Sequence, residues 1–225
     1  MTHCPTRRPV QRRILLLGGS FDPVHNGHVA LGAHFTQLLR PDELRLIPAG
    51  NPWQKQGLDA SAQDRVAMLA RAFENLPCKV VIDQREILRD SPSYTIDSLR
   101  EIRAEEGVDA MLAFLLGADQ LQRLDTWREW QKLLDYAHLC AASRPGFDLA
   151  AHALPAQVGA EFGQRNADIE EIRNTSHGLT CVAANLAVDV SATAIRAMLE
   201  HGQRPQSLVP DAVLDYIDQH HLYKN

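Results

Sequence analysis

A short apolar run that ends in a glycine turn constrains the fold of this 225-residue chain more than any other feature. The run covers residues 14–17, and residues 18–28 then read Gly-Gly-Ser-Phe-Asp-Pro-Val-His-Asn-Gly-His. Apolar side chains return at helical spacing further on, at Leu31, Phe35, Leu38 and Leu39. The pattern predicts a buried strand, a tight turn and a helix whose first turn carries the two histidines.

The same segment carries groups that are suited to binding phosphate. Gly18 and Gly19 allow backbone N–H groups to approach an anion closely, and a helix N-terminus adds partial positive charge at the same place. His25 and His28 are three residues apart, so both imidazoles can lie on one side of the first helical turn. The alternatives are an ordinary turn and a pair of metal ligands, although no third ligand follows in a zinc-like pattern. The segment therefore indicates a nucleotide site.

Strand and helix patterns alternate along the whole chain. Strands are predicted at residues 14–17, 44–47, 79–82, 111–116, 138–142 and 180–188, and helices at 29–39, 62–75, 95–104, 127–135, 192–200 and 212–219. This alternation predicts an α/β fold, a Rossmann-like doubly wound parallel sheet with helices on both faces and ligands at the carboxyl ends of the strands. Residues 14–225 are expected to form a single domain, in which 146–177 is peripheral helix and loop.

Composition excludes some classes of partner. The net charge of −5 and the pI of about 6.0 argue against general nucleic-acid binding, and no apolar stretch is long enough for a membrane span. Residues 1–13 contain four arginines and no apolar core, so we expect a disordered leader, with a basic contact arm as the alternative. The four cysteines are scattered, at Cys4, Cys78, Cys140 and Cys181. They predict buried, reduced thiols and a cytoplasmic protein.

A second phosphate-binding pattern lies near the other end of the chain. Residues 189–196 read Asp-Val-Ser-Ala-Thr-Ala-Ile-Arg, and Ser191 or Thr193 is placed to cap the helix that follows. Arg196 ends the pattern, and a guanidinium can donate to an anion in pairs. The alternative is an ordinary N-cap followed by a surface arginine.

Two further strand ends carry polar residues. Residues 115–121 read Leu-Leu-Gly-Ala-Asp-Gln-Leu, so Gly117 and Asp119 follow a predicted strand. Asp119 is placed either to accept hydrogen bonds from ribose hydroxyls or to cap the next helix. Arg144 lies in a Ser-Arg-Pro-Gly turn after the next strand and is expected to point toward the same strand ends. The alternative is that this segment is only a turn.

The first motif resembles the signature of the H-x-G-H nucleotidyltransferase superfamily, in the G-G-[ST]-F-D-P-x-H-x-G-H form typical of adenylyltransferases. Residues 191–196 are similar to that family's [ST]-[ST]-T-x-[IL]-R motif, with Ala192 at the variable second position. The resemblance extends from residue 14 to the terminal helix. It implies that ATP is bound by Gly18, Gly19, Ser20, Phe21, His25, His28, Gly117, Asp119, Ser191, Thr193 and Arg196.

Three more segments resemble nicotinate-nucleotide adenylyltransferases in particular. Residues 47–55 are similar to a P-x-x-x-P-P-H-K loop, from which Trp53 and Gln54 depart. Residues 93–99 are similar to an S-Y-T-x-[DE]-T-L stretch, and residues 124–130 are similar to an [LF]-x-x-W segment. The resemblance implies that nicotinate mononucleotide is bound by Asn51, Lys55, Thr95, Trp127, Arg128 and Arg144.

Within that set, the indole of Trp127 would stack on the pyridine ring, and backbone N–H groups of Trp127 and Arg128, with Thr95 opposite, would hold the carboxylate. The alternatives are a flexible loop with a solvated Lys55, core packing for Tyr94 and Trp127, and a helix cap for Thr95.

The resemblance implies an enzyme that transfers the adenylyl group of ATP to nicotinate mononucleotide, forming deamido-NAD and pyrophosphate in NAD biosynthesis. His25, His28, Lys55 and Arg196 are the expected catalytic residues, acting by positioning and charge stabilisation without an enzyme nucleophile. Mg²⁺ is the expected cofactor, bound as Mg-ATP with no metal site of the protein's own. Small-molecule substrates are the expected partners, with no nucleic acid and no membrane, and a homo-oligomer is left open. The alternatives are an adenylyltransferase for nicotinamide mononucleotide and a non-catalytic nucleotide sensor, against which the intact histidine pair argues.

Overall fold

The computed structural model describes residues 12–50, 57–142, 154–183, 186 and 190–224. Within these ranges six parallel strands form one sheet: β1 (Arg13–Gly19), β2 (Glu43–Pro48), β3 (Lys79–Ile82), β4 (Met111–Gly117), β5 (His138–Ala142) and β6 (Thr180–Ala183). Their order across the sheet is β3-β2-β1-β4-β5-β6. Strands β2 and β3 therefore lie on one side of β1, and strands β4, β5 and β6 lie on its other side. The predicted doubly wound, Rossmann-like fold is confirmed.

The helices of the described ranges lie between these strands and after the last one. They are α1 (Asn26–Leu39), α2 (Ala62–Ala72), α3 (Thr95–Glu106), α4 (Ala118–Leu121), α5 (Ala156–Gln164), α6 (Ile169–Arg173), α7 (Ala192–Glu200) and α8 (Asp211–Gln219). Alternate residues of β1 point to opposite faces, so Leu15 and Leu17 pack in one apolar cluster and Ile14 and Leu16 in another. The first cluster includes residues of α1, α2, α7 and α8, and the second includes residues of α3 and α5. Helices therefore cover both faces, as predicted.

The helix predicted over residues 127–135 is wrong. The segment instead contains one short 3₁₀ helix, Trp130–Asp135; a second, Leu124–Thr126, precedes it, and the Trp127 backbone between the two is extended. Glu129 adopts a left-handed conformation with φ of 50°, which interrupts any continuous helix. Trp130, Leu133 and Leu134 are buried, and their spacing suits a 3₁₀ helix as well as an α-helix.

Several predictions fall partly or wholly outside the described ranges. Of the predicted leader, residues 1–11 lie outside them, and β1 already begins at Arg13. The last strand was predicted to reach residue 188 but ends at Ala183, and residues 184–185 and 187–189 lie outside the described ranges. Within the predicted peripheral segment 146–177, residues 154–177 contain α5 and α6.

The cysteines that the structure describes are unpaired thiols. Cys140 and Cys181 occupy neighbouring positions on β5 and β6 and are buried, whereas Cys78 is half-buried. Burial and a hydrogen bond between the two neighbouring thiols raise the pKa of Cys140. Among the described helices, we find none with the length and apolar composition that a bilayer crossing requires.

A cluster of ion pairs closes the amino ends of the strands. Glu43, the first residue of β2, is 1% exposed, and its carboxylate accepts from Arg45 at 2.8 Å, Arg12 at 2.7 Å and Lys79 at 2.9 Å. Arg45 also pairs with Glu106, at the end of α3, at 2.7 Å. Burial alone would raise the pKa of Glu43, but the hydrogen bonds from Lys79 and Arg45 lower it overall. The cluster is paired within the chain and lies at the opposite edge from the predicted site.

Candidate active site

A cavity of about 480 Å³ opens at the carboxyl ends of β1 and β4. Most of the predicted site residues that the structure describes line it: Gly18, Gly19, Ser20, His25, His28, Thr95, Gly117, Asp119, Trp127, Arg128, Ser191 and Thr193. Phe21 and Arg196 are described but do not line it. Asn51, Lys55 and Arg144 lie outside the described residues. The structure thus brings together segments that are about 170 residues apart in sequence, as expected where strands of a parallel sheet end at one edge.

The glycine turn is built for close packing. A Cβ atom on Gly18 would lie 3.1 Å from the Phe114 ring, and one on Gly19 would lie 3.2 Å from the Phe21 ring. Phe21 itself carries the left-handed backbone conformation of the turn, with φ of 49°, and its side chain is fully buried. Any contact of Phe21 with a ligand therefore has to come from its backbone.

The two histidines stand side by side at the start of α1. His25 is the N-cap residue, one position before the helix, and not in its first turn as predicted; His28 is the third helical residue. Their rings stack with centroids 3.7 Å apart and planes 24° apart, and the His25 backbone N–H donates to Nδ1 of His28 at 3.3 Å. A Cβ atom on Gly27 would approach the His25 ring to 3.0 Å, so glycine leaves room for the pair. Both imidazoles line the cavity beside a helix N-terminus.

The start of α7 faces the same cavity. Ser191 is its N-cap residue, but the hydroxyl makes no capping hydrogen bond, and Thr193 lies in the first turn. Arg196 points elsewhere: its Nε pairs with the Asp59 carboxylate at 2.6 Å, and its Nη1 donates to the carbonyl oxygen of Asp22 at 2.8 Å. These two bonds hold Arg196, a predicted phosphate contact, against the glycine turn.

At the end of β4, the alternative of a helix cap for Asp119 is wrong. The N-cap of α4 is Gly117, and Asp119 is the second residue of that helix, exposed at the rim of the cavity. A Cβ atom on Gly117 would lie 2.7 Å from Oδ1 of Asp119. Glycine at this position therefore lets the carboxylate approach the strand end.

The opposite wall is formed by the start of α3. Tyr94 is the N-cap residue and Thr95 the first helical residue, and both line the cavity, so the N-terminus of α3 borders it. The Arg128 guanidinium lies over the Tyr94 ring at 4.8 Å and 3.7 Å from the Asp97 carboxylate. This wall combines a helix N-terminus with a cation, which suits an anionic group.

Trp127 lies at the junction of cavity and core. Its ring packs edge-on against Phe114, with centroids 6.3 Å apart, and part of it lines the cavity. Its backbone N–H, expected to hold a carboxylate, donates instead to the carbonyl oxygen of Leu124 at 3.0 Å, which closes a 3₁₀ turn. The buried indole Nε1 has no hydrogen-bond partner among the described residues. Trp130 is 7% exposed and belongs to the core.

Sequence reasoning missed several lining residues. Glu86 is 8% exposed and accepts a hydrogen bond from the Ser98 hydroxyl at 2.6 Å. Burial raises the pKa of Glu86, and the bond from Ser98 opposes the shift. Ser93 and Arg123 also line the cavity. Ser93 and Ser98 lie inside the quoted 93–99 motif, which was the available signal, whereas nothing near Glu86 marks it in sequence.

Metal ligands do not cluster in the described part of the chain. Groups of three or more His, Cys, Asp or Glu side chains that could hold an ion are not found among the described residues. The histidine pair therefore provides at most two ligands there, fewer than structural or catalytic zinc sites use.

Comparisons with known proteins agree with this geometry. The cytidylyltransferase-like family model matches residues 16–198. The chain is 62% identical, over 97% of its length, to the whole of a Herminiimonas arsenicoxydans protein named "Probable nicotinate-nucleotide adenylyltransferase", and 42% identical, over 94% of its length, to 99% of the Chromobacterium violaceum protein of that name.

Among solved structures, Plasmodium falciparum nicotinic acid mononucleotide adenylyltransferase complexed with NaAD matches with a TM-score of 0.72 and 17% identity. The match covers 94% of this chain and 97% of that one, and at this identity it supports the fold alone. The extent and identity of the sequence matches show that the chain belongs to the cytidylyltransferase-like family and, within it, to the nicotinate-nucleotide adenylyltransferases.

Proposed function

We propose that this protein transfers the adenylyl group of ATP to nicotinate mononucleotide, forming deamido-NAD and pyrophosphate in NAD biosynthesis. One observation carries the proposal: two stacked imidazoles lie at the N-terminus of α1, beside a glycine turn and inside one cavity with the start of α7. Two helix N-termini, each a source of positive potential, and two imidazoles therefore face a space large enough for part of a nucleotide. The 62% identical relative carries the name of this activity.

The reaction is a displacement at the α-phosphorus of ATP. An oxygen of the mononucleotide phosphate forms the new bond to that phosphorus, while the bond to the bridging oxygen breaks and its electron pair leaves with pyrophosphate. His25 and His28 would donate hydrogen bonds to the α- and β-phosphates, where negative charge develops. No protein nucleophile is required, because positioning and charge stabilisation account for the catalysis.

The rest of the ATP site follows from the cavity walls. Gly18 and Gly19 would contact phosphate, and Ser191 and Thr193 would offer hydroxyl groups. A contact from the backbone of Phe21, which does not line the cavity, stays a prediction. Gly117 and Asp119 would lie against the ribose. For Arg196 to reach a phosphate, its bond to the Asp59 carboxylate would be exchanged for one to a phosphate oxygen, an acceptor of the same charge sign.

Nicotinate mononucleotide would bind at the other wall. The first turn of α3 at Thr95 and the Arg128 side chain would attract its carboxylate, and Trp127 would contact its pyridine ring. Asn51, Lys55 and Arg144 stay predictions as contacts to this substrate. The backbone N–H of Trp127 already donates to the Leu124 carbonyl. The start of α3 would therefore have a larger part in recognising the carboxylate than the sequence suggested.

Magnesium would enter as Mg-ATP. Mg²⁺ gives up its water reluctantly and is commonly held by substrate phosphates and water, which fits a cavity without a cluster of metal ligands among the described residues. Bound in this way, it would neutralise phosphate charge.

We further propose a cytoplasmic location, which free, buried thiols favour.

Product analysis tests the proposal. Purified protein is incubated with ATP, Mg²⁺ and nicotinate mononucleotide, and the nucleotides are separated and identified by mass. We expect deamido-NAD and pyrophosphate in equal amounts, formed only when both substrates are present. ATP bound without turnover would indicate a nucleotide sensor, and that outcome would contradict the proposal.

A further inference from the structure

The carboxylate of Asp22, inside the glycine-turn motif, joins distant parts of the chain. Asp22 is 2% exposed, and its carboxylate accepts three hydrogen bonds from residues in the described ranges. The donors are the backbone N–H groups of Asp59 at 2.8 Å and Ala60 at 3.1 Å, and the hydroxyl of Tyr223 at 2.7 Å. The turn is thereby tied to the segment before α2 and to the last residues of the sequence.

The backbone on either side of Phe21 is held by two arginines. Nη1 of Arg65 donates to the carbonyl oxygen of Ser20 at 2.8 Å, and Nη1 of Arg196 donates to that of Asp22 at 2.8 Å. Arg65 is 2% exposed; burial lowers its pKa, and the charge of nearby Asp22 opposes that shift. The cation and the carboxylate thus support each other beneath the turn.

This arrangement fixes the direction of one N–H group. In a trans peptide the carbonyl and the N–H point in opposite directions, so with the Ser20 carbonyl directed at Arg65, the Phe21 N–H points away from it. Ser20 lines the cavity, whereas Arg65 does not. The bonds beneath the turn therefore set the donor that would face a bound phosphate.

Tyr223 is the most remote member of this network in sequence. Burial and its hydrogen bond to Asp22 raise the pKa of Tyr223 well above its ordinary value, so its hydroxyl stays a donor across the physiological range. It does not line the cavity.

We propose that Tyr223 is a positioning residue for the nucleotide site, acting through Asp22 on the backbone of the glycine turn. The proposal rests on the proposed adenylyl transfer. Loss of one of three donors lets the buried carboxylate shift, and the turn shifts with it. Small displacements of positioning groups lower the rate, because phosphate donors act over a narrow range of distances.

The chain supplies a matched control. Tyr216, on α8, also donates its hydroxyl to an aspartate, Asp64 of α2, at 2.9 Å, but the other hydrogen bonds of the Asp64 side chain within the described residues go to Ser61 and not to the glycine turn. Tyr223→Phe and Tyr216→Phe each remove one hydroxyl from a C-terminal tyrosine. Comparing them separates loss of a hydrogen bond near the C-terminus from an effect on the turn.

The experiment measures pyrophosphate release by the full chain, with each substrate varied in turn, and the thermal midpoint of each variant. For Tyr223→Phe we expect kcat/KM for ATP to fall by about tenfold with KM for nicotinate mononucleotide unchanged. Tyr216→Phe is expected to keep wild-type kinetics. An unchanged kcat/KM for ATP in Tyr223→Phe, or an equal loss in both variants, would overturn the inference.

A second variant guards against misfolding. Should Tyr223→Phe lower the thermal midpoint below the assay temperature, Asp22→Asn keeps the shape of the side chain and removes its charge. It should produce the same selective loss toward ATP, and equal losses toward both substrates would count against the inference. A wild-type protein without activity would instead refute the proposed function, so the two failures are distinguishable.

Discussion

The two edges of the parallel sheet hold their polar groups in opposite ways. At the amino ends, Glu43 is surrounded by Arg45, Arg12 and Lys79, all within 2.9 Å, and the charges are matched inside the chain. At the carboxyl ends, His25 and His28 stack against each other and line a cavity. The first arrangement is closed and stabilises the fold, whereas the second presents its donors to a ligand.

The polarity of the fold explains the difference. Each strand of a parallel sheet ends at the same edge, and the helix that follows begins there, so the N-termini of α1, α3 and α7 converge on one cavity. Their partial positive charges repel one another, and an anion bound between them offsets that repulsion. The amino edge has no such need, and variants at the two edges should therefore fail in different assays.

The largest expected effect is at the carboxyl edge. Replacing His28 or His25 with Ala should lower kcat by a factor on the order of 10²–10³, comparable to the loss of one donor from an oxyanion site. The free energy of unfolding should change by less than about 1 kcal/mol, since both side chains border a cavity. A rise in KM with kcat unchanged would show that the histidines bind ATP without serving the transition state.

At the amino edge, Glu43→Gln should do the reverse. Removing the carboxylate takes from Arg45, 7% exposed, one of its two close counter-charges and leaves Arg12 and Lys79 without their shared acceptor, so we expect a loss of about 3 kcal/mol in the free energy of unfolding. Denaturant titration measures this loss, and kcat at a temperature where the variant is folded should match the wild type. A stable Glu43→Gln variant with reduced kcat would break the proposed division between the edges.

His138, the first residue of β5, makes the amino edge sensitive to acid. Burial lowers its pKa to about 4, and the neutral ring accepts from the Leu179 N–H at 3.1 Å on Nδ1 while Nε2 contacts the Thr175 carbonyl at 3.0 Å. The unfolded chain, with a pKa near 6.5, binds the proton first. Stability is therefore full above about pH 6.5 and is lost as the pH falls toward 4.

We expect His138 to account for a loss of about 2 kcal/mol in the free energy of unfolding between pH 7 and pH 5. His138→Gln, which cannot titrate, should show a correspondingly shallower decline, and the difference between the two curves cancels the contribution of other groups. Parallel curves for the two proteins would contradict the assignment.

A smaller effect is expected at Arg196, which joins the glycine turn to Asp59. Arg196→Lys cannot make both of the bonds that the guanidinium makes, so kcat/KM for ATP should fall by about tenfold while KM for the mononucleotide stays constant. Unchanged kinetics would contradict a role for Arg196 both in positioning the glycine turn and in binding phosphate.

The sequence predicts most of the strands and helices because the spacing of apolar residues reflects which side chains are buried. The bounds of β3, β5 and α7 agree with the predicted ones, since their apolar patterns are unambiguous. The 127–135 segment misled because buried residues at three- and four-residue spacing suit both helix types.

The local motifs gave the cavity lining but not the orientation of its parts. No pattern in sequence shows that Arg196 would be held by Asp59, that the Trp127 N–H would be used in a turn, or that Glu86 would be buried at the wall. Those facts depend on contacts between residues that are distant in sequence. Site membership was therefore more predictable than site geometry.

The rate of pyrophosphate release with two alternative acceptors tests the central claim most directly. Nicotinate and nicotinamide mononucleotides differ in one group, a carboxylate against an amide, and we expect the start of α3 with Arg128 to favour the anion. We expect kcat/KM for nicotinate mononucleotide to exceed that for nicotinamide mononucleotide by at least about 10²-fold. Equal rates would contradict the assigned specificity, and no release with either acceptor would contradict adenylyl transfer itself.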